Sequence, residues 1–427
     1  MAVETERPAT YREVFGVAEF RALYVAFILS MVGDMLAKVA VSVLVFDRTH
    51  SPLLSAAAFA LSYLPWGLGG PFLAALADRW PRRRTLVSCD LARAVLVGML
   101  ALPGLPLPVL LALLMIASLL APPFEAARSA LLPEVLDGDR FVVATSVLVV
   151  STYVANVGAF VVGGALVQIV SPRGTLLADA ATFAVSGALL AMFVRYRPAA
   201  RKLRRPLVRE TADGLELVFR HRVLRSYLLL VWAASAMVFA SEGLAAAYAV
   251  HLGERPTAVG LLLGAVPFGM AFGGLVLTRA VAPLRRVRLV LPLASLATVA
   301  LLPLLLDPPL PVVLALYVLS GIGLAMTIPL NAMFVRAVAP DYRGRAFGVA
   351  RSGLEVAQGL AIVAAGALAT RVPVPVVIAL FAGVVGTLLV GLLALYWPSI
   401  EEQLAAEASP AGDRMAGPEI APEPGAA

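Results

Sequence analysis

The chain has 427 residues, 60% of them hydrophobic and only 14% charged, with a net charge of +7 and a mean hydropathy of +0.90. A soluble domain usually carries about a quarter of its residues as Asp, Glu, Lys and Arg, so this chain has no polar coat to show to water and calls for lipid instead. The lone Cys89, the three scattered histidines and the absence of Lys38 or Lys202 from any Gly-rich loop exclude an internal disulfide, a Cys- or His-based metal centre and a phosphate-cradling nucleotide site, so neither metal nor cofactor is expected.

Residues 1–21 read as a cytoplasmic lead whose Glu4, Glu6, Glu13 and Glu19 do not fit a cleavable signal. About 20 mostly apolar helical residues cross ~30 Å of hydrocarbon. Stretches of that kind run 22–46, 53–77, 85–103, 107–127, 144–170 and 174–195, then 226–249, 256–278, 287–306, 309–333, 346–370 and 373–397. The predicted fold is an all-α integral membrane protein with twelve transmembrane helices in two pseudo-symmetric six-helix bundles, 22–195 and 226–397. A cytoplasmic linker, 196–225, joins them. The tail, 398–427, is rich in Pro, Ala and Glu and reads as disordered.

Basic residues set the orientation. With a cytoplasmic N-terminus, the outside loops hold only Arg48, Arg173, Arg255 and Arg371, and Lys38 and Arg93 lie inside spans. Every other Lys and Arg of the 34 falls in cytoplasmic segments or at their helix ends, which is the positive-inside pattern with both termini cytoplasmic. Because the arginines gather in particular loops and form no single basic face, nucleic acid is not the expected partner. The chain also repeats itself. Arg21 and Arg225 open the first span of each half, Pro65-Trp66-Gly67 recurs as Pro267-Phe268-Gly269, and Arg140 and Arg345 precede the fifth and eleventh spans, all at nearly one separation. Two six-span copies in the same orientation imply two bundles about an axis along the membrane normal.

Three pieces carry a family likeness: Leu76-Ala77-Asp78-Arg79-Trp80-Pro81-Arg82-Arg83-Arg84, the Gly33-Asp34 pair, and Pro340-Asp341-Tyr342-Arg343-Gly344-Arg345. Over about residues 15–397 the sequence resembles the major facilitator superfamily, and within it the bacterial drug and macrolide efflux branch, which also includes siderophore exporters. The first piece is similar to the signature loop G-x-x-x-D-R-x-G-R-R/K, with Ala74 and Pro81 in place of its glycines. The fifth span has Gly158-Ala159 and Gly163-Gly164 where efflux members often carry Gly-Pro followed by paired glycines.

The resemblance implies a cytoplasmic gate. Asp78 would meet the N-terminal end of span eleven, whose free N–H groups carry partial positive charge. Arg82 would pair with an acid at the inner end of span four, with Glu125 as candidate, and Arg79 and Arg83 complete the charged core. The plainer alternative is that these arginines only anchor the loop. Gly158, Gly163 and Gly164 on span five, with Gly264, Gly269, Gly273 and Gly274 on span eight, would pack the bundles closely against each other.

Ionisable groups in lipid usually face a cavity or a partner. Asp34 and Lys38 lie one turn apart on span one, either as substrate contacts on the cavity wall or as a self-neutralised pair. Glu242 on span seven has no basic residue within a turn, which suits a carboxyl that binds and releases a proton. The alternative is a protonated acid bonded to a neighbouring helix. Asp90 and Arg93 read as a structural ion pair, Asp179 as a solvated structural residue near the outer end of span six, and Arg351 with Glu355 as gate or scaffold. Tyr24, Tyr63, Trp66, Tyr153 and Trp232 are candidates for an adaptable pocket or for ordinary packing.

The function expected is a secondary transporter of the cell membrane, an exporter of small amphipathic compounds coupled to protons and acting as a monomer in the bilayer. Transport of one endogenous metabolite such as a siderophore is the alternative. An intramembrane serine–histidine enzyme needs a histidine at membrane depth, whereas His50, His221 and His251 fall in loops or at span ends. A channel is disfavoured by the two-half repeat. The orientation has a direct test: a reporter active only in the cytoplasm should be active when fused after Arg204 or at the C-terminus and silent near Pro106, and activity at Pro106 would reverse it.

Overall fold

Hydrocarbon offers no partner to a backbone N–H or C=O, so a chain this apolar must satisfy both within helices. The computed structural model describes residues 9–67, 80–197, 207–399 and 401–403, and the regular structure among them is helical, with no strand. Eight helices among the described residues are long and apolar enough to cross a membrane. One is a run of 56 residues, Gly138–Phe193. At about 1.5 Å per residue it would extend roughly 84 Å, far beyond ~30 Å of hydrocarbon. It is broken at Ser171, where φ 74° and ψ 164° leave the helical region immediately before Pro172. The break falls between the expected fifth and sixth spans.

The expected third and eleventh segments are also helical, as Arg82–Leu100 and Arg343–Leu368, though not among these eight. The first helix, Ala18–Thr49, starts ahead of its expected boundary. It ends at His50, whose left-handed φ of 48° lets Ser51 cap the next helix, Pro52–Ala60, by accepting a hydrogen bond from Leu54 N at 3.4 Å. The lead before it holds a short helix, Tyr11–Gly16, with a Thr10–Glu13 capping box. Within the expected linker, the helix Leu207–Arg220 buries Leu217 and Val218 and packs on the eleventh-span helix, where Asp213 stands 3.9 Å from Arg345. At the start of the tail, Glu402 pairs with Arg222 at 2.7 Å; the rest of the expected disordered segment lies outside the described residues.

The seventh span is irregular. Its helix Arg222–Phe239 gives way to a 3₁₀ turn, Glu242–Leu244, before Ala245–His251 resumes. The two halves meet at the end opposite to the one where the chain starts. There a Cβ on Gly164 would lie 2.9 Å from Gly260 Cα, and one on Gly260 would strike the carbonyl of Phe160. The second and eleventh spans stay together over a longer stretch, from Gly366 against Leu53 and Pro52 to Gly67, where a Cβ would lie 3.1 Å from the Ser352 carbonyl.

The expected glycine interface is redistributed. Gly164 and Gly264 do face the other half, where a Cβ on Gly264 would lie 3.5 and 3.6 Å from Val161 and Val157, but Gly260, which meets Gly164, was not among the expected residues. Gly163 packs on Val39 and Leu36 of the first span, and Gly269 and Gly273 pack on Val318, Gly321 and Ile322 of the tenth, all within their own half. A Cβ on Gly158 would meet no other part of the protein within 4 Å. The reason is geometric: a 3.6-residue helix turns successive glycines toward different neighbours.

This contrast is testable in purified protein. Gly260→Ala should cost about 1–3 kcal/mol by overpacking and lower the melting temperature, while Gly158→Ala should leave it unchanged.

Candidate functional site

The first-span helix carries Ser30, Asp34 and Lys38 at four-residue steps, which places them on one face. That face borders a cavity of about 450 Å³. Almost all of the wall comes from the first half; Arg351 and Glu355 of the eleventh-span helix are the second half's contribution.

The charges on this wall are not paired as their spacing in sequence suggests. Asp34 does not take Lys38. Its Oδ1 accepts from the Arg93 guanidinium of the third span, and the two side chains are 35% and 5% exposed. Arg93 also lies over the Phe183 ring, 4.2 Å from its centre. The expected Asp90–Arg93 pair is thereby replaced: Asp90 is fully buried and accepts from the hydroxyls of Ser30, at 3.2 Å, and Ser186. Residues three apart on one helix can meet, but here Arg93 reaches across to the first span.

Lys38 instead lies over two aromatic rings, 4.6 Å from the centre of Tyr63 and 5.8 Å from that of Phe59. The Tyr63 hydroxyl donates to Glu242 Oε2 at 3.2 Å. Tyr63 therefore links a cation of the first half to a carboxyl of the second, and Lys38 and Glu242 are within electrostatic reach of each other. Glu242 is 2% exposed, sits behind the cavity wall at the 3₁₀ turn, and has one oxygen, Oε1, without a partner. The cation that its own helix lacks arrives from another span.

Asp179 departs furthest from expectation. It was expected to be wet, yet it is 0% exposed while standing among the residues that line the cavity. Gly33 makes the room: a Cβ there would strike Asp179 Oδ1 and Thr182 Oγ1.

Nearer the end where the chain starts, Glu125 is held by Arg128, Nε to Oε2 at 3.0 Å, and Arg128 lies over Phe27 at 4.1 Å. Arg351 pairs with Glu355 at 3.2 Å and lies over Trp66 at 4.6 Å, a contact between halves. The expected gate is corrected in one pairing. The helix Ala121–Val135 runs on past Glu125, so its terminal Glu134, and not Glu125, meets Arg82. Arg83 donates to the carbonyl of Ala191 near the end of the sixth span. Asp78 and Arg79 lie outside the described residues. Of the aromatic candidates, Tyr63 and Trp66 line the cavity, whereas Trp232 donates to the Ala350 carbonyl at 2.9 Å and Tyr24 bonds Ser151 at 2.7 Å.

A bilobed helical membrane protein with a charged central cavity fits the family model described as Major Facilitator Superfamily, which matches residues 23–253 and 243–418. The chain belongs to the major facilitator superfamily. An uncharacterised MFS-type transporter of Mycobacterium tuberculosis is 34% identical over 148 residues, 33% of each chain. The MFS-type transporter YvqJ of Bacillus subtilis is 25% identical over 275 residues, 61% of this chain and 64% of its own. The match thus spans only a third of the mycobacterial relative's length and under two thirds of the Bacillus one. Among solved structures, the nucleoside transporter NupG is similar with a TM-score of 0.72 at 12% identity, over 88% of this chain and 100% of that one. That likeness is one of fold. Membership of the superfamily makes the chain a multi-pass membrane protein of a family of transporters.

For this superfamily member, Arg93 and Asp179 are the site residues that sequence reasoning did not bring to the cavity. Their signal was present in part, because a charge inside a span demands a partner, but the partner sits on another span. Breaking a buried pair by removing one partner costs about 3–5 kcal/mol. With Asp34 partly exposed, Arg93→Met should fall near the lower end. The expected result is a marked loss of monodisperse protein on size exclusion, partly restored when Asp34→Asn is added.

Proposed function

We propose that this superfamily member is a proton-coupled exporter of small amphipathic compounds, drug- or macrolide-like in character. In this reading the chain is a monomer of the cell membrane that crosses twelve times with both termini cytoplasmic. The observation that carries it is the cavity itself: an embedded space bordered by both halves, with aromatic rings beside fixed charges of both signs. Such a wall takes up the apolar body of a substrate and orients its polar group. Asp34, the accessible member of its pair, orients the substrate; Glu242, shielded and held by Tyr63, exchanges the proton.

Alternating access follows from two halves rocking about a midplane site. The contact of Gly164 with Gly260 closes one end, while a Cβ on Gly158 further along the same helix would meet nothing within 4 Å. A proton on Glu242 removes the charge that faces Lys38 across Tyr63 and so loosens one contact between halves. Arg82 with Glu134, together with Asp78 and Arg79 of the signature loop, serves as the latch at the cytoplasmic end.

The test is accumulation of a panel of macrolides and fluorescent cationic dyes in cells with and without the gene and a protonophore. Expression should lower accumulation at least several-fold, and the protonophore should abolish the difference. Glu242→Gln should bind substrate but lose the pH-driven component. Asp34→Asn should weaken binding, most for the cationic dyes, while keeping pH dependence for neutral compounds. Full proton drive in Glu242→Gln, lost instead in Asp34→Asn, would reverse the two roles. Uptake in place of expulsion would favour the import of one metabolite.

A further inference from the structure

Carboxyls outnumber cations in and just behind the cavity wall. Asp34, Asp90, Asp179, Glu125, Glu242 and Glu355 stand there with Lys38, Arg93, Arg128 and Arg351. Arg128 and Arg351 are each taken by the glutamate one turn away. Lys38 faces Glu242, which leaves Arg93 alone to serve three aspartates. Asp34 has the ion pair and Asp90 has two serine hydroxyls. Asp179 has only the Thr182 hydroxyl at 3.4 Å from Oδ1, and its Oδ2 has no partner at all.

The surroundings of Asp179 are closed. From the first span it is faced by Asp34, past Gly33; from the third by Arg93, with Asp90 and the Cys89 thiol beyond it; on its own helix by Thr182. A wholly buried carboxylate with a bare oxygen and a shared cation is a costly arrangement. A proton on Oδ2 removes the charge.

We propose that Asp179 is a second proton-binding site, set in the first half and separate from Glu242. The inference rests on the proton-coupled reading above. Arg93 is the shared counter-ion: it pairs with whichever of Asp34 and Asp179 is ionised. When Asp34 is neutralised from the cavity, by a proton or by a cationic group of the substrate, Arg93 turns to Asp179. The O–H bond at Asp179 then breaks, and its proton passes to water in the cavity that Asp179 itself lines. The transporter would accordingly exchange two protons per cycle, one in each half.

Infrared pH titration of the full-length protein in liposomes reads this without a known substrate, because protonated carboxyls show a C=O stretch that shifts in D2O. The expected result is one titrating band lost in Asp179→Asn and displaced, not lost, in Asp179→Glu, with Glu242→Gln removing a different band. The glutamate variant keeps the test alive should the asparagine variant misfold. If the Asp179 variants leave every band in place while Glu242→Gln removes one, the second site is overturned and coupling through Glu242 stands. If only the Asp179 variants alter a band, the second site stands and the role of Glu242 falls. Exchanging choline for Na⁺ at fixed pH should leave the Asp179 band unchanged; its loss in Na⁺ would overturn the proton site in favour of a metal cation.

Discussion

A charged side chain at the centre of a bilayer costs about 2.5–3.5 kcal/mol on insertion scales, and this cost organises the first half of the molecule. Arg93 cannot be left alone in the third span, nor Asp34 in the first, and their pairing fixes how those two helices sit around the cavity. The remaining neighbours follow from it. With Arg93 engaged by Asp34, Asp90 draws in the hydroxyls of Ser30 and Ser186, and Gly33 is bare so that Asp179 can come close. Lys38, released from Asp34, comes to rest over Tyr63 and Phe59 and brings its charge to the boundary between halves. The same rule governs Glu125 with Arg128 and Arg351 with Glu355.

Which parts of this could be read from the sequence depends on range. Apolar stretches of about 20 residues announce helices of bilayer length, and the eight long apolar helices among the described residues overlap expected segments. The break at Ser171 is marked by Pro172. Pairs along one helix are legible when nothing competes, as with Arg351 and Glu355. The same spacing misleads at Asp34–Lys38 and Asp90–Arg93, because a partner on a neighbouring helix wins both contests. No periodicity in one span tells which face of the next one it meets. The family resemblance pointed to Glu125 as the partner of Arg82; the length of its helix, which carries Glu134 to the end, decides otherwise.

The irregular seventh span has a related origin. A 3₁₀ turn within a membrane helix leaves its backbone groups less well paired, and such breaks are tolerated where they are buried in protein or line a cavity. Here Gly243 packs against Ile362 and Ala56, one from each half, so Glu242 is presented at the seam and not to lipid.

The lopsided cavity wall has a consequence for how selectivity can be altered. Among the described residues that border it, only Arg351 and Glu355 come from beyond residue 200, and these two are already tied to each other and to Trp66. Recombining the first half of one homologue with the second half of another would therefore transplant nearly the whole recognition surface as a block. Under the proposed function, substrate range would be inherited through the N-terminal half, while the C-terminal half would still have to bring Glu242 to Tyr63.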